Sequence, residues 1–297
     1  MQNLFSPVVF GCKGLELDAE EKAIFKEANP FGIILFKRNC ESKEQVKKLI
    51  EDIKCTVRDD VQILVDEEGG RVTRLQVPVW QKKPSAREIG AIAEKDMALA
   101  KELLISKTKV IAEELLELGI TINCSPVLDV YNGRDDGAIG DRAYSNNIEV
   151  ISELGKTETD AFLQSGIFPV IKHLPGHGRL EKDPHYTLPI ITASREELEN
   201  RDFVPFKNLK DAPMAMNSHA IFTSYDKECP ASLSSIIYEQ VIRGIIGFKG
   251  LLFSDDITMK ALGGSAGERF SRALKCCDIV LHCDADKSEM KEILRIM

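Results

Sequence analysis

Eight short apolar runs, each followed by a stretch of helical periodicity, constrain this chain more than any other feature it has. The runs fall near residues 7–11, 32–36, 62–66, 121–125, 168–173, 215–218, 250–254 and 278–283. Several are continuously apolar, the pattern of a parallel strand covered on both faces rather than of a strand with one wet side. Between them, Asp18 to Ala28 opens on an acidic cap residue. Residues 42–53 set Val46, Leu49, Ile50 and Ile53 along one face, and 97–118 repeats Leu, Ile and Ala at turn spacing among Lys and Glu. Residues 151–163, 194–208, 234–245 and 265–276 read as further helices, and 285–297 as a short closing one.

Strand and helix alternating to a count of eight predicts an α/β fold, a (β/α)8 TIM barrel that occupies residues 1–297 as a single domain. An open doubly wound sheet is the competing topology, but no G-x-G-x-x-G follows the first run, which argues against a dinucleotide site. Internal repeats and low-complexity segments are absent.

Composition narrows the class of partner. The formal charge of -8 is spread over 39 basic and 47 acidic side chains, and no run of Lys or Arg is long enough to follow a phosphate backbone. Nucleic acid is therefore excluded as an expected partner. The first residues carry no basic stretch, and Val8-Val9-Phe10 is too short for a signal-peptide core or a membrane span, so a cytoplasmic protein is expected. Eight cysteines at positions 12, 40, 55, 124, 229, 276, 277 and 283 are scattered without a C-x-x-C pair, which fits reduced, mostly buried thiols.

In a barrel the C-terminal ends of all strands open onto one face, so the residues just beyond each run are the ones to weigh. The third run leads into Asp66-Glu67-Glu68-Gly69-Gly70-Arg71, the fourth to Ser125-Pro126-Val127-Leu128-Asp129, the fifth ends in Lys172-His173, the sixth meets Asn217-Ser218-His219, and the seventh meets Asp255-Asp256. Charge gathers at one rim. Asp255 is a candidate nucleophile, which must stay ionised and would be helped by a nearby cation such as Lys172 or Arg74; capping of the next helix is the other role open to Asp255 and Asp256. In the loop after the fifth run, Asp183-Pro184-His185 offers a carboxylate that can hold one ring nitrogen of His185 while the other moves a proton near neutral pH.

Lys172-His173-Leu174-Pro175-Gly176-His177-Gly178 admits several readings. A metal would use His173, His177 and a carboxylate, but Pro175 and Gly176 interrupt the helix by which an H-E-x-x-H site gathers its imidazoles, and no metal or other cofactor is expected. Phosphate binding by the Gly-rich turn lacks the Walker spacing. Donation of hydrogen bonds from Lys172 and His173 to sugar hydroxyls fits better, and a purely structural loop stays open beside it. Asp66 and Arg74 bracket a turn through Gly69-Gly70, and Arg142 joins them as a further candidate for hydroxyl recognition.

These residues stand in an ordered set: GIILFKRN at 32–39, DEEGGRVTRL at 66–75, SPVLDV at 125–130, IGDRAY at 139–144, KHLPGHG at 172–178, DPH at 183–185, PASLS at 230–234 and GFKGLLFSDDITM at 247–259. With them the chain, over nearly its whole length, resembles the glycoside hydrolase family 3 β-N-acetylglucosaminidases of the single-domain bacterial NagZ type. The resemblance implies a retaining mechanism in which Asp255 is the nucleophile, His185 the general acid/base in place of the usual second carboxylate, and Asp183 its orienting partner. It assigns Asp66, Arg74, Arg142, Lys172 and His173 to binding of the terminal N-acetylglucosamine and leaves His177 to loop architecture.

The substrates it implies are 1,6-anhydro-muropeptides, cleaved in the cytoplasm during peptidoglycan recycling; a monomer with no nucleic-acid partner and no membrane span is expected. A phosphorylase acting on N-acetylglucosaminides and a catalytically silent sugar-binding barrel are the alternatives. The chain departs from the family in having Cys276-Cys277 where Ala-Gly is usual before the eighth run, and Asp284 where Asn is common.

Overall fold

A computed structural model of the chain describes residues 5–134, 137–180 and 188–297. Eight parallel strands close into a barrel: Ser6–Gly11, Pro30–Leu35, Gln62–Val65, Ile122–Asn123, Phe168–Leu174, Met214–Asn217, Leu251–Asp256 and Ile279–His282. Every strand pairs with the next in sequence, and the ring shuts where the first strand meets the eighth, with Val8 opposite Val280 and Phe10 opposite His282. The eight apolar runs therefore became the eight staves of a (β/α)8 barrel, as expected.

Alternation along each strand divides the interior in two, because successive side chains point to opposite faces. Val9, Ile34, Leu64, Val170, Phe253 and Leu281 face inward and pack on one another at the barrel axis. Their neighbours Val8, Phe10, Ile33, Leu35, Ile63, Ile171 and Leu252 face outward into the layer shared with the helices. Both faces are dry, which is why the runs lack polar alternation. Gly32 marks a close inner approach: a Cβ there would lie 2.6 Å from both the Gln62 carbonyl oxygen and Leu64 Cδ1 on the third strand.

The helices start where side chains satisfy free amides. Asp18 caps Ala19–Ala28 through the amides of Glu20 and Glu21, Ser42 caps Lys43–Thr56, Asp96 caps Met97–Leu118, and Asn147 caps Ile148–Gln164. The buried set on Lys43–Thr56 is Val46, Leu49, Ile50 and Ile53, the face predicted from spacing. Ile237–Ile246 is wound as a π-helix; the apolar spacing of Ile237, Val241, Ile242 and Ile246 is too short a sample to separate that winding from an α-helix. Among the described residues, the helix Ala86–Ala93, a two-stranded pairing of Ile190–Ile191 with Ile221–Phe222 and short helical turns such as Lys37–Asn39 and Gly140–Arg142 lie outside the predicted pattern. Among the described residues no helix is long and apolar enough to cross a membrane.

The Cys276-Cys277 pair does not disturb closure. Both thiols are buried, Cys277 Sγ lies 3.0 Å from the Ala273 carbonyl, and Ile279–His282 follows in register with the first strand. Asp284 is exposed just past the eighth strand.

Candidate active site

The chain leaves the third strand through Asp66-Glu67-Glu68 and turns back on Gly69 and Gly70, whose φ values of 90° and 60° suit glycine. The turn is built around Glu67, which is fully buried. Its carboxylate accepts from the Arg74 amide at 2.8 Å, the Leu75 amide at 3.1 Å and the Thr73 hydroxyl, with Lys83 Nζ 3.4 Å away. This brings Arg74 back over its own strand end, where Nη2 reaches Asp66 Oδ2 at 2.9 Å.

Lys172, from the fifth strand, inserts between the two acids. Its Nζ lies 2.8 Å from Asp66 Oδ1 and 2.6 Å from Glu68 Oε1. Arg142, at the end of the short helical turn Gly140–Arg142, grips the same Glu68 with two bonds of 2.8 Å, from Nε and Nη2. Lys107 Nζ holds the Glu68 carbonyl at 2.6 Å, fixing the backbone that carries this carboxylate. Glu68 therefore belongs to the site, although the sequence alone did not separate it from its acidic neighbours.

The charges in this cluster stabilise one another against burial. Desolvation works to raise the Glu68 carboxyl, yet Arg142 and Lys172 outweigh it and bring it down to about 2. Asp66 is likewise held far below the usual carboxylate range, its burial overcome by Lys172 and Arg74. Lys172 is shifted up, because Asp66 and Glu68 outweigh the burial that opposes its charge.

The peptide bond between Lys172 and His173 is cis. His173 Nδ1 lies 2.7 Å from Asp129 Oδ2, and the amide of His177 donates to Asp129 Oδ1 at 2.5 Å. Gly176 and Gly178 allow the intervening bend: Gly176 has a φ of 148°, and a Cβ on Gly178 would stand 2.1 Å from the Val130 carbonyl oxygen. The sequence argued that Pro175 and Gly176 deprive these two histidines of the helix that would gather them. The turn gathers them all the same, with ring centroids 4.8 Å apart, and possible ligand atoms of Asp129, His173 and His177 lie within 4.8 Å of one another. Those of Asp129 and His173 are already committed to each other by the hydrogen bond. Burial, followed by the neighbouring His173, pushes His177 down to about 3, so it is neutral at pH 7.

Asp255 and Asp256 end the seventh strand with different surroundings. Asp256 is tied into its own turn, accepting from the Thr258 amide at 3.0 Å, the Thr258 hydroxyl at 2.7 Å and the Cys283 amide at 3.0 Å, while His219 Nε2 meets its carbonyl at 2.7 Å. Asp255 has its amide fixed by Asn217 Oδ1 at 3.0 Å and accepts the Asp256 amide at 2.8 Å. Burial works to raise the Asp255 carboxyl, but His219 and the Asp256 amide that donates to it help to leave it below the usual range. The sequence had pointed to Lys172 or Arg74 for this task; in the fold both cations are paired with the acids of the third strand.

A cavity of about 250 Å³ opens at this end of the barrel, lined among others by Asp66, Glu68, Arg74, Arg142, Lys172, His173, His177, Asp255 and Asp256, with Phe36, Met216, Met259 and Leu281 as its apolar wall. It lies below the range of roughly 300–1,000 Å³ usual for larger ligands. All of Asp66, Arg74, Arg142, Lys172, His173 and Asp255 thus converge on one small space. Asp183 and His185 lie outside the described residues.

Buried acceptors and donors in nearly equal measure, beside one ionised carboxylate at a strand end, are the equipment of a barrel that handles a neutral, hydroxyl-rich molecule. Residues 3–297 match the glycosyl hydrolase family 3 N-terminal domain, and the chain belongs to that family. It is 38% identical over 296 residues to a β-hexosaminidase of Psychromonas ingrahamii, a match covering 97% of this chain and 85% of the relative. The crystal structure of native NagZ from Neisseria gonorrhoeae superposes with a TM-score of 0.89 at 34% identity, covering 98% of this chain and 84% of that one. The same enzyme in complex with N-trifluoroacetyl-D-glucosamine gives a TM-score of 0.90 at 34% identity, over 98% of this chain and 85% of the other.

Proposed function

We propose that this protein is a β-N-acetylglucosaminidase that removes terminal, non-reducing β-linked N-acetylglucosamine with retention, through a covalent glycosyl-Asp255 intermediate, acting as one catalytic domain over residues 1–297. The observation that carries this reading is Asp255: a carboxylate kept ionised although buried, at the mouth of a cavity whose other wall is the Asp66–Arg74–Lys172–Glu68–Arg142 cluster. Both the relatives named as β-hexosaminidases and the relative bound to an N-acylated glucosamine agree with it.

In the first step His185 protonates the glycosidic oxygen as Asp255 attacks the anomeric carbon, so the C–O bond to the leaving group breaks while an acylal ester to Asp255 forms. In the second, neutral His185 takes a proton from water, the oxygen attacks the anomeric carbon, and the carboxylate is released. Asp183 orients His185. Asp66, Arg74, Arg142, Lys172 and His173 hold the sugar ring, and Glu68 fixes two of those cations. The small cavity suits one terminal sugar, with the remainder of a 1,6-anhydro-muropeptide outside it. On this reading the enzyme works in the cytoplasm, as a monomer, in peptidoglycan recycling.

Phosphate is the less favourable attacking group. Among the described residues, Arg74, Arg142 and Lys172, the cations lining the cavity, are each paired with Asp66 or Glu68, and Asp255 and Asp256 add further negative charge, so an entering dianion meets repulsion with no vacant cation among them.

The test is to incubate the purified protein with N-acetylglucosaminyl-1,6-anhydromuramic acid in water and in phosphate buffer and to identify the first products. Free N-acetylglucosamine released as the β-anomer in both media is expected. Dominant sugar 1-phosphate, or an α-anomer in water, overturns the hydrolytic retaining mechanism, and binding without cleavage makes the protein a sugar-binding barrel.

A further inference from the structure

We propose that Asp129 is a positioning residue for the sugar site: it locks His173 in the tautomer that carries its proton on Nδ1, leaving Nε2 as a bare acceptor turned toward Arg142. The assignment of the tautomer needs no substrate; its effect on sugar binding rests on the function proposed above.

Asp129 cannot drift relative to His173, because the segment that carries it is stitched to the fifth strand. The Leu128 amide donates to the Lys172 carbonyl at 2.8 Å, the Lys172 amide donates to the Pro126 carbonyl at 3.1 Å, and Val127 pairs with Lys172 as an isolated parallel bridge. The carboxylate is fully buried, and both of its oxygens are used, Oδ1 by the His177 amide and Oδ2 by His173 Nδ1. A carboxylate without a proton only accepts, so Nδ1 must donate. Burial works to raise the Asp129 carboxyl, but the hydrogen bonds it accepts from His173 Nδ1 and from the His177 amide favour the ionised form, and it stays below the usual range.

The opposite edge of the ring gives the same answer independently. His173 Nε2 stands 3.3 Å from Arg142 Nη2, and a guanidinium only donates. A proton on Nε2 would set N–H against N–H, so the lone pair must face Arg142. Two contacts on opposite sides thus select one form of the ring. A sugar hydroxyl entering here would find His173 as an acceptor and Lys172 and Arg142 as donors. The sequence suggested His173 as a donor to the sugar; the tautomer proposed here gives it the acceptor's part instead.

Asp129→Asn preserves shape and reverses one bond. If the new amide keeps its oxygen on the His177 N–H, its NH2 faces His173 Nδ1 and drives the proton to Nε2, against Arg142. The other orientation sets NH2 against the His177 amide.

The experiment has two arms. In the first, ring ¹⁵N chemical shifts of His173 in the wild-type protein are expected to show a protonated Nδ1 and an unprotonated Nε2 at neutral pH; the opposite tautomer, or a doubly protonated ring, overturns the proposal even if Asp129→Asn does not fold. In the second, Asp129→Asn is expected to raise KM for an N-acetylglucosaminide by about tenfold to a hundredfold, with kcat changed much less. In a His173→Gln background the same change should add little. An unaltered KM in Asp129→Asn, or a full additional loss in the His173→Gln background, would mean that Asp129 does not act through the ring. Should the expected shifts appear in a protein that cleaves no glycoside, the tautomer stands and the function falls.

Discussion

Glu68 receives Lys172 Nζ at 2.6 Å on the same carboxylate that takes the two 2.8 Å bonds of Arg142, so one acid carries two of the three Lys and Arg side chains that line the cavity among the described residues. Asp66 carries the third, Arg74, and shares Lys172. Five charges thus form one chain, Arg74–Asp66–Lys172–Glu68–Arg142, in which no member has to be compensated by water.

Removing an inner acid should therefore do more harm than removing an end. Glu68→Ala leaves Arg142 without its partner and Lys172 with half of its pairing, in a buried setting. A loss of about 3–5 kcal/mol is expected from denaturant titration, together with a raised KM for N-acetylglucosaminides. An unchanged midpoint would show that the cations are solvated in solution.

The proposed nucleophile has a sharper signature. Asp255→Ala should lower kcat by at least about 10³-fold while the protein stays folded and still binds N-acetylglucosamine. Added azide should restore some turnover by attacking the anomeric carbon from the vacated side, giving the α-glycosyl azide. Wild-type rates in this variant would remove Asp255 from the mechanism.

Acid should weaken the fold through His177. Its pKa is depressed to about 3 from an ordinary 6.5, so between those values the unfolded chain binds a proton that the folded one refuses. Stability contributed by its neutral form is full above about 6.5 and falls as pH drops toward 3. The wild-type unfolding free energy should decline from pH 6.5 to 5 with a slope that His177→Asn reduces; equal slopes would place the imidazole in water. The Glu68 carboxyl acts lower, its contribution present above its ordinary 4.5 and lost as pH falls toward about 2.

Gly178 is predicted to tolerate no side chain. Its missing Cβ would sit 2.1 Å from the Val130 carbonyl oxygen and 2.8 Å from the Val130 amide nitrogen, backbone atoms that cannot swing aside. Gly178→Ala should cost about 1–3 kcal/mol and, by shifting the loop that holds His177, raise KM as well. Thermal unfolding and steady-state kinetics on the same preparation check both effects.

The barrel was legible in the sequence because its strands are dry on both faces and its helices carry caps, as at Ser42 with Val46, Leu49, Ile50 and Ile53 behind it. The helix Ala86–Ala93 was overlooked although it has its own signal: Ser85 and Glu88 form a capping box before buried Ile89 and Ala93. Asp66, Lys172, His173 and Asp255 could be placed at one rim from strand ends alone, whereas Arg74 and Arg142 stand farther along the loops and entered only as candidates for hydroxyl recognition. Glu68 could not, because three consecutive acids look alike until the fold turns Glu67 inward to brace the loop and Glu68 toward the cations. Nor could the surroundings that keep Asp255 ionised, since which cations remain available depends on which acids have already claimed them. The conformation of the His173-to-His177 turn was beyond periodicity for a similar reason: it is set by Asp129, a residue from another strand's loop.

The meeting of Val8 with Val280, with Arg38 spanning the junction from the Cys12 carbonyl to that of Cys283, carries a consequence for assembly. Every side chain proposed for chemistry precedes the eighth strand, so a nascent polypeptide could contain all of them and still hold them in an open, wet trough. Only when the last stave slides against the first does the trough become a vessel, and the capacity to work on a sugar should arrive with that final fit rather than grow in proportion to chain length.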